Sequence, residues 1–134
     1  MPYTLPDSRN NKKGKFDSLK ILVIEDDIVN ITIMKWLLTE IGVKNITIAN
    51  NAMESLLHLQ NHFDLIFLDI SLPDLNGIEL CKKIRTLPNI KNIPIIAVTA
   101  FDDAKDLCIS AGMNWFLKKP IDINTLKNVI NKFI

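Results

Sequence analysis

The sequence has few of the residues that small proteins use for cross-links. It contains only two cysteines among 134 residues, and Cys81 and Cys108 lack the CxxC spacing of a zinc or redox motif. Two cysteines are too few for a disulfide framework, and both fall in helical patterns, which predicts buried free thiols in a reducing compartment. A chain of this length can bury one domain core without such cross-links.

Neither a charge excess of one sign nor a long apolar run is present. With 16 basic and 15 acidic side chains the formal charge is +1, so the sequence has no electrostatic signature of direct nucleic-acid binding. No apolar stretch reaches the roughly 18 residues that a membrane span needs, and the polar amino terminus argues against a signal peptide. We therefore expect a cytoplasmic globular domain without a membrane span.

Glycine is also scarce, with four residues, and no Gly-rich phosphate-binding loop follows the first predicted strand. The residues at that position are Glu25-Asp26-Asp27, which disfavours a nucleotide site of the GxGxxG or GxxxxGKS type.

Short apolar runs are the strongest pattern that the sequence does contain. Unbroken runs leave no solvent face and predict central strands of a parallel sheet covered on both sides. A fifth segment, which alternates, predicts an exposed edge strand. The unbroken runs are 21–24, 65–68, 95–98 and 115–117, and the alternating segment is 46–49.

Helical patterns separate these strands. We predict helices over about 28–41, 52–61, 78–87 and 103–111, and a last one beginning at Asp122. Asp27 and either Asn50 or Asn51 are the predicted N-caps of the first two, and Gly42 ends the first. Five alternating strands and helices with right-handed crossovers predict a three-layer, doubly wound α/β domain. The predicted inward residues are Ile33, Met34, Leu37, Leu38, Ile41, Met53, Leu56, Leu57, Leu126, Val129, Ile130 and Phe133.

The amino-terminal residues differ in composition from the rest of the chain. Residues 1–18 contain two prolines, paired asparagines and a lysine cluster, which predicts a flexible tail or linker. The predicted domain is 19–134.

Polar side chains follow several of the predicted strands. Glu25 and Asp26 follow the first, Asp69 the third, Thr99 the fourth and Lys119 the fifth. The carboxyl ends of parallel strands form the crevice where such sheets bind ligands. Gathered carboxylates repel one another unless a cation joins them, and an all-oxygen set selects a hard ion such as Mg²⁺. Asp69 could then be a nucleophile toward phosphorus.

These residues, in this order, resemble the response-regulator receiver domain of two-component signalling, the CheY-like family, over roughly residues 19–134. The loop from Asp69 through Pro73 to Gly77 is similar to the family's phosphoacceptor loop. The resemblance implies a flavodoxin-like fold with five parallel strands in the order 2-1-3-4-5 and five helices.

The resemblance also implies a role for each site residue. Asp69 is the implied phosphoacceptor, and Glu25, Asp26, Asp69 and the backbone carbonyl of Ser71 are the implied ligands of Mg²⁺. Asp26-Asp27 is an alternative acidic pair. We prefer Glu25-Asp26, because its spacing to the end of the first helix matches the family and because it leaves Asp27 as the helix cap.

The remaining implied roles concern the phosphorylated form. Thr99 and Lys119 are the implied partners of the phosphoryl group, Phe116 is the implied switch aromatic, and the Lys119-Pro120 bond is expected to be cis. Phe101, two residues beyond Thr99, occupies the position that borders the approach of the hydrolytic water in this family, which predicts slow self-dephosphorylation.

Two details bear on the partner. Asn30 and the run 111–116 look more like receivers of hybrid sensor kinases than like receivers of transcription factors, which predicts a histidine kinase or a histidine phosphotransfer domain as the partner. The segment 99–112 looks about two residues shorter than the family pattern.

The sequence thus predicts a phosphorylatable signalling module without a product-releasing enzymatic role. Two alternatives stay open. One is a metal-dependent phosphatase with an aspartyl nucleophile, although that class needs a second aspartate where Ser71 stands. The other is an unphosphorylated protein-interaction module.

Overall fold

The computed structural model describes residues 14–101 and 104–134. Within these ranges the chain forms one parallel sheet of five strands in the order β2-β1-β3-β4-β5. This confirms the predicted doubly wound topology and strand order. The strands are β1 (Lys20–Ile24), β2 (Asn45–Ala49), β3 (Leu65–Asp69), β4 (Ile95–Thr99) and β5 (Trp115–Lys118).

Five helices in the same ranges alternate with the strands. They are α1 (Ile28–Ile41), α2 (Ala52–His58), α3 (Gly77–Ile84), α4 (Lys105–Ser110) and α5 (Ile123–Phe133). The predicted caps Asp27, Asn51 and Asp122 each accept a hydrogen bond from a first-turn amide. Gly42 ends α1 with a φ of 110°, a left-handed conformation that glycine adopts readily.

Helices α2 and α3 each end three residues earlier than predicted. After His58 and Ile84 the backbone bonds shorten to an i to i+3 spacing, from Asn61 to His58 and from Leu87 to Ile84. The residues that follow therefore form tighter turns in place of a further α-helical turn.

The core lies in two layers, one on each face of the sheet. On one face, Met34 and Leu38 of α1 and Leu126 and Ile130 of α5 pack against strand residues such as Phe67. On the other face, the buried side chains of α2, α3 and α4 cover the sheet.

Cys81 and Cys108 lie in the second of these layers as buried free thiols, as predicted. Burial raises the pKa of both thiols above their usual range.

Several predicted core positions are wrong. Ile33 is 45% exposed, because α1 packs through Ile31, Met34 and Leu37 instead. Met53 and Leu57 are 66% and 59% exposed, since α2 packs through Ala52 and Ser55, with Leu59 buried just after the helix. Trp115 is 37% exposed, because β5 is an edge strand, so its apolar run does not mark full burial.

The packed part of the domain begins before the predicted boundary at residue 19. A turn over residues 14–17 is closed by a bond from the Asp17 amide to the Gly14 carbonyl, and Phe16 within it is 4% exposed and packs against the α1 and α5 face. The predicted flexibility of residues 1–13 lies outside the described residues. Throughout the described ranges, each helix is too short or too polar to span a bilayer.

Candidate functional site

Three carboxylates meet where the sheet order reverses between β1 and β3. Glu25 and Asp26 follow β1, Asp69 ends β3, and one carboxylate oxygen from each lies within 4.8 Å of the others. Glu25 and Asp69 are each only 4% exposed, whereas Asp26 is open to solvent. The structure therefore brings together the three acidic residues that the sequence predicted. We call this group the acidic cleft.

The side chain of Asp27, which belongs to the alternative acidic pair, caps α1. The Asp27 carboxylate accepts a hydrogen bond of 2.9 Å from the Asn30 amide, so its side chain is committed to the helix start. Glu25-Asp26, the preferred pair, faces the cleft.

A single lysine enters the acidic cleft from the loop after β5. The Lys119 ammonium nitrogen lies 3.1 Å from Glu25 Oε2 and 3.5 Å from Asp69 Oδ2. A hydrogen bond of 2.8 Å from the Lys119 amide to the Thr99 carbonyl fixes this loop beside β4. The Lys119-Pro120 peptide bond is cis, as expected. The Lys119 ammonium thus lies against two of the three carboxylates.

Burial and neighbouring charges together shift the pKa of Glu25. Burial, and then repulsion from Asp69, raises the pKa of Glu25 above its usual range, although the Asp27 amide and Lys119 act in the opposite direction. The site therefore retains repulsion that a divalent cation would relieve. Three carboxylate oxygens are hard ligands of the kind that Mg²⁺ prefers, so the residues present fit this ion.

Thr99 and Phe116 lie on the neighbouring strands β4 and β5. Thr99 is 1% exposed at the end of β4, and its hydroxyl oxygen accepts a hydrogen bond of 3.2 Å from the Phe101 amide. Phe116 pairs in register with Ala97 of β4 and is half-buried against the core. The Phe101 ring is 58% exposed, so it lies outside the core.

The loop between β3 and α3 is held at both ends. The Ser71 amide donates to Asp69 Oδ1 at 3.1 Å, and the Gly77 amide donates to the Ile70 carbonyl at 2.9 Å. A Cβ atom at Gly77 would lie 2.6 Å from the Ile70 Cα atom, so only glycine allows this approach. The role of the Ser71 carbonyl as a metal ligand stays a prediction.

A second polar cluster, which the sequence did not predict, is centred on Arg85 at the end of α3. Its guanidinium donates to the carbonyls of Gly112, Ile93 and Lys91 and to Asn114 Oδ1, at 2.6 to 2.9 Å. Asn114 Oδ1 also accepts from the Ile95 amide at 2.8 Å. Backbone carbonyls have no sequence signature, so only the arginine itself could have indicated this cluster. We call it the Arg85 node.

Known proteins share this sequence pattern. The model of the family described as "Response regulator receiver domain" matches residues 21–131. The osmosensing histidine protein kinase SLN1 of Saccharomyces cerevisiae is 35% identical over 97% of this chain and 12% of its own length. The hybrid signal transduction histidine kinase M of Dictyostelium discoideum is 36% identical over 85% of this chain and 5% of its own length. The chain thus spans a small part of these relatives.

Solved structures share the fold. The receiver domain of sensor histidine kinase PA1611 from Pseudomonas aeruginosa, with a magnesium ion coordinated in its active site cleft, has a TM-score of 0.79 and 30% identity, over 86% of this chain and 96% of that one. The complex of the yeast phosphotransfer protein Ypd1 with the receiver domain of Ssk1 contains a chain with a TM-score of 0.79 and 26% identity, over 90% and 91%. The chain therefore belongs to the response regulator receiver domain family of two-component systems and phosphorelays.

Proposed function

We propose that this chain accepts a phosphoryl group on Asp69 from a phosphohistidine, in a reaction that depends on Mg²⁺. The observation that carries the proposal is the acidic cleft, in which the buried Asp69 carboxylate lies beside Glu25 and Asp26 and 3.5 Å from the Lys119 ammonium. This arrangement supports Asp69 as the nucleophile, the three carboxylates as metal ligands and Lys119 as the cation for phosphoryl oxygens.

The chemistry follows from these groups. An Asp69 carboxylate oxygen attacks phosphorus, the phosphorus–nitrogen bond to the donor imidazole breaks, and that nitrogen leaves with the bonding electron pair. Lys119 and the Thr99 hydroxyl bind the oxygens of the transferred group. Glu25, Asp26, Asp69 and the Ser71 carbonyl would hold Mg²⁺, which when bound supplies positive charge against the repulsion between the carboxylates and the incoming group.

The product stays on the protein, so we assign no product-releasing enzymatic role. The phosphoryl group draws the Thr99 hydroxyl away from the Phe101 amide, and the space it leaves lets Phe116 turn inward as a population shift. Amide shifts induced by beryllofluoride are then expected to concentrate in residues 99–120, and shifts confined to the surroundings of Asp69 would contradict this switch.

Incubation with acetyl phosphate, followed by intact mass spectrometry, tests the proposal. With Mg²⁺ the wild type is expected to gain one phosphoryl group, and the Asp69→Asn variant none. The matched control is Asp106→Asn, which removes an exposed carboxylate from α4. Continuous release of phosphate without a stable adduct would favour the phosphatase alternative. Incorporation into Asp69→Asn, or an unchanged rate in EDTA, would contradict the proposal.

The donor is proposed to be a histidine kinase or a histidine phosphotransfer domain of a phosphorelay. An exposed apolar stripe on α1, formed by Val29, Ile33 and Trp36 at 60%, 45% and 61% exposure, supports this. The stripe begins one helical turn from the acidic cleft, because α1 starts three residues after Glu25. A helical partner packed there brings its histidine within reach of Asp69.

The two buried thiols support a reducing, cytoplasmic location.

The docking surface is tested by comparing two donors. Trp36→Ala is expected to slow transfer from a phosphorylated histidine phosphotransfer domain severalfold, while phosphorylation by acetyl phosphate stays unchanged. Met53→Ala, which removes an equally exposed apolar side chain from α2, is the control and leaves both rates unchanged. Equal rates from the protein donor in wild type and Trp36→Ala would contradict docking on α1.

A further inference from the structure

Asp74, in the loop after β3, makes two hydrogen bonds to a distant part of the chain. Its Oδ1 accepts from the Ala52 amide at 2.9 Å, and its Oδ2 accepts from the Met53 amide at 3.1 Å. These amides belong to the first turn of α2, where backbone N–H groups have no partner within the helix. The Asp74 side chain is exposed, so apolar packing does not require it to lie there.

The start of α2 is already capped by its own residues. Asn51 Oδ1 accepts from the Glu54 amide at 2.8 Å, and Glu54 Oε1 accepts from the Asn50 amide at 3.1 Å. These reciprocal bonds are similar to a capping box, except that the Glu54 carboxylate bonds the amide before the N-cap. The local cap serves the Glu54 and Asn50 amides, whereas Asp74 serves the Ala52 and Met53 amides. The Asp74 carboxylate therefore completes the capping of α2 and also fastens the loop after Asp69 to the helix.

The fastened segment contains the predicted metal-ligand carbonyl. Ser71 is bonded through its amide to Asp69, and the loop closes where the Gly77 amide meets the Ile70 carbonyl. Between these points, Leu72 and Leu75 are only partly buried. Asp74, three residues from Ser71, therefore supplies the polar attachment in the middle of the loop.

We propose that Asp74 is a positioning residue for the metal site: by binding the first turn of α2 it holds the Ser71 carbonyl where Mg²⁺ needs it. This inference rests on the proposed function. Mg²⁺ demands near-ideal octahedral geometry, with ligands at about 2.0–2.1 Å. If the loop is held loosely, its carbonyl has the required position in only some of the loop's conformations. The affinity for Mg²⁺ is then lower.

The test is Mg²⁺ binding to the full chain, measured by isothermal titration calorimetry. Asp74→Ala is expected to weaken binding by roughly tenfold, the lower end of the loss seen when groups that orient a metal ligand are removed. Asp74→Asn keeps one acceptor oxygen and loses less. Asn51→Ala, which removes the cap of α2 without touching the loop, is the control: it lowers the unfolding temperature and leaves Mg²⁺ affinity unchanged.

Three results would overturn the inference. One is equal Mg²⁺ affinity in wild type and Asp74→Asn. The Asp74→Asn variant also tests the inference if Asp74→Ala does not fold. Another is a loss with Asn51→Ala as large as with Asp74→Ala, which would show a general effect of α2. The third is a loss that disappears in 0.5 M KCl, roughly where exposed charges are screened, which would show a charge effect alone. A wild type that binds no Mg²⁺ would instead overturn the proposed function itself.

Discussion

The acidic cleft and the Arg85 node are both partly buried polar clusters against the same sheet, yet they are built in opposite ways. In the node one cation is surrounded by neutral oxygens from the segments before β4 and before β5, and all five of its bonds are 2.9 Å or shorter. In the cleft the Lys119 ammonium lies 3.1 and 3.5 Å from two of the three carboxylates.

This difference indicates that the Arg85 node stabilises the fold, whereas the acidic cleft is suited to binding a ligand. A polar network whose donors and acceptors are matched stabilises one conformation. A cluster with unmatched charge costs stability until a ligand supplies the missing charge. The pKa of Glu25, raised first by burial and then by repulsion from Asp69, is consistent with this cost. We therefore expect substitutions in the node to lower stability, and substitutions at the cleft to change phosphorylation and the response of stability to Mg²⁺.

The largest expected effect comes from breaking the node. Arg85→Met keeps the apolar stem but leaves the Gly112 and Ile93 carbonyls without their donor, which we expect to lower the free energy of unfolding by about 2–4 kcal/mol. Urea unfolding measures this loss. Lys83→Met, an exposed position on the same helix, is the control and stays within about 0.5 kcal/mol of wild type. If the Arg85→Met variant folds but cannot be phosphorylated, the node is not purely structural, which would contradict the roles assigned to the node and the cleft.

A smaller effect is expected at the rim of the cleft. The exposed Phe101 ring offers no hydrogen bond to a hydrolytic water, so we predict a slow decay of phospho-Asp69. Phe101→Asn or Phe101→Lys is expected to change the decay rate severalfold with nearly unaltered Mg²⁺ affinity, measured by mass spectrometry over time. The control Leu107→Asn, also an exposed apolar position, leaves the rate unchanged. Unchanged decay in both Phe101 variants would remove this residue from the mechanism.

The smallest effect concerns pH. The Ala52 amide, followed by the Met53 amide, lowers the pKa of Asp74 despite some desolvation. A lowered pKa means that the folded state favours the carboxylate, so its stabilisation is full above the unfolded pKa and is lost as pH falls through the folded value. Wild type is thus expected to have a larger free energy of unfolding than Asp74→Asn at pH 7. This difference between the two proteins becomes smaller below pH about 4. A difference in free energy of unfolding that grows toward acid pH would contradict the lowered pKa of Asp74.

The sequence predicted the strands and the cleft because these depend on local patterns, and the resemblance to a known family implied the strand order. Four apolar runs mark four of the five strands, the carboxyl ends of parallel strands share one edge, and Glu25, Asp69 and Lys119 therefore had to lie near one another. Their roles were implied by the resemblance, because these residues occur in the same order in a known family.

Other features depend on long-range packing and have no local signal. The exposure of Ile33, Met53 and Leu57 is decided by which stripe of each helix meets the sheet, and their apolar character is equal to that of buried neighbours. The node joins Arg85 to Gly112, 27 residues away, through a backbone oxygen that any residue would supply. Asp74 likewise reaches amides more than 20 residues away.

The central claim is that the cleft carries unmatched negative charge until a divalent cation binds. Thermal unfolding of wild type and Asp69→Asn, each in EDTA and in Mg²⁺, tests it directly. In EDTA we expect Asp69→Asn to unfold at the higher temperature, because one of two buried carboxylates is neutral and Lys119 still pairs with Glu25. In Mg²⁺ at 100 times its Kd, we expect the wild type to gain about 2.7 kcal/mol and the variant far less. A wild type that is the more stable protein in EDTA, or that gains nothing from Mg²⁺, would contradict the account.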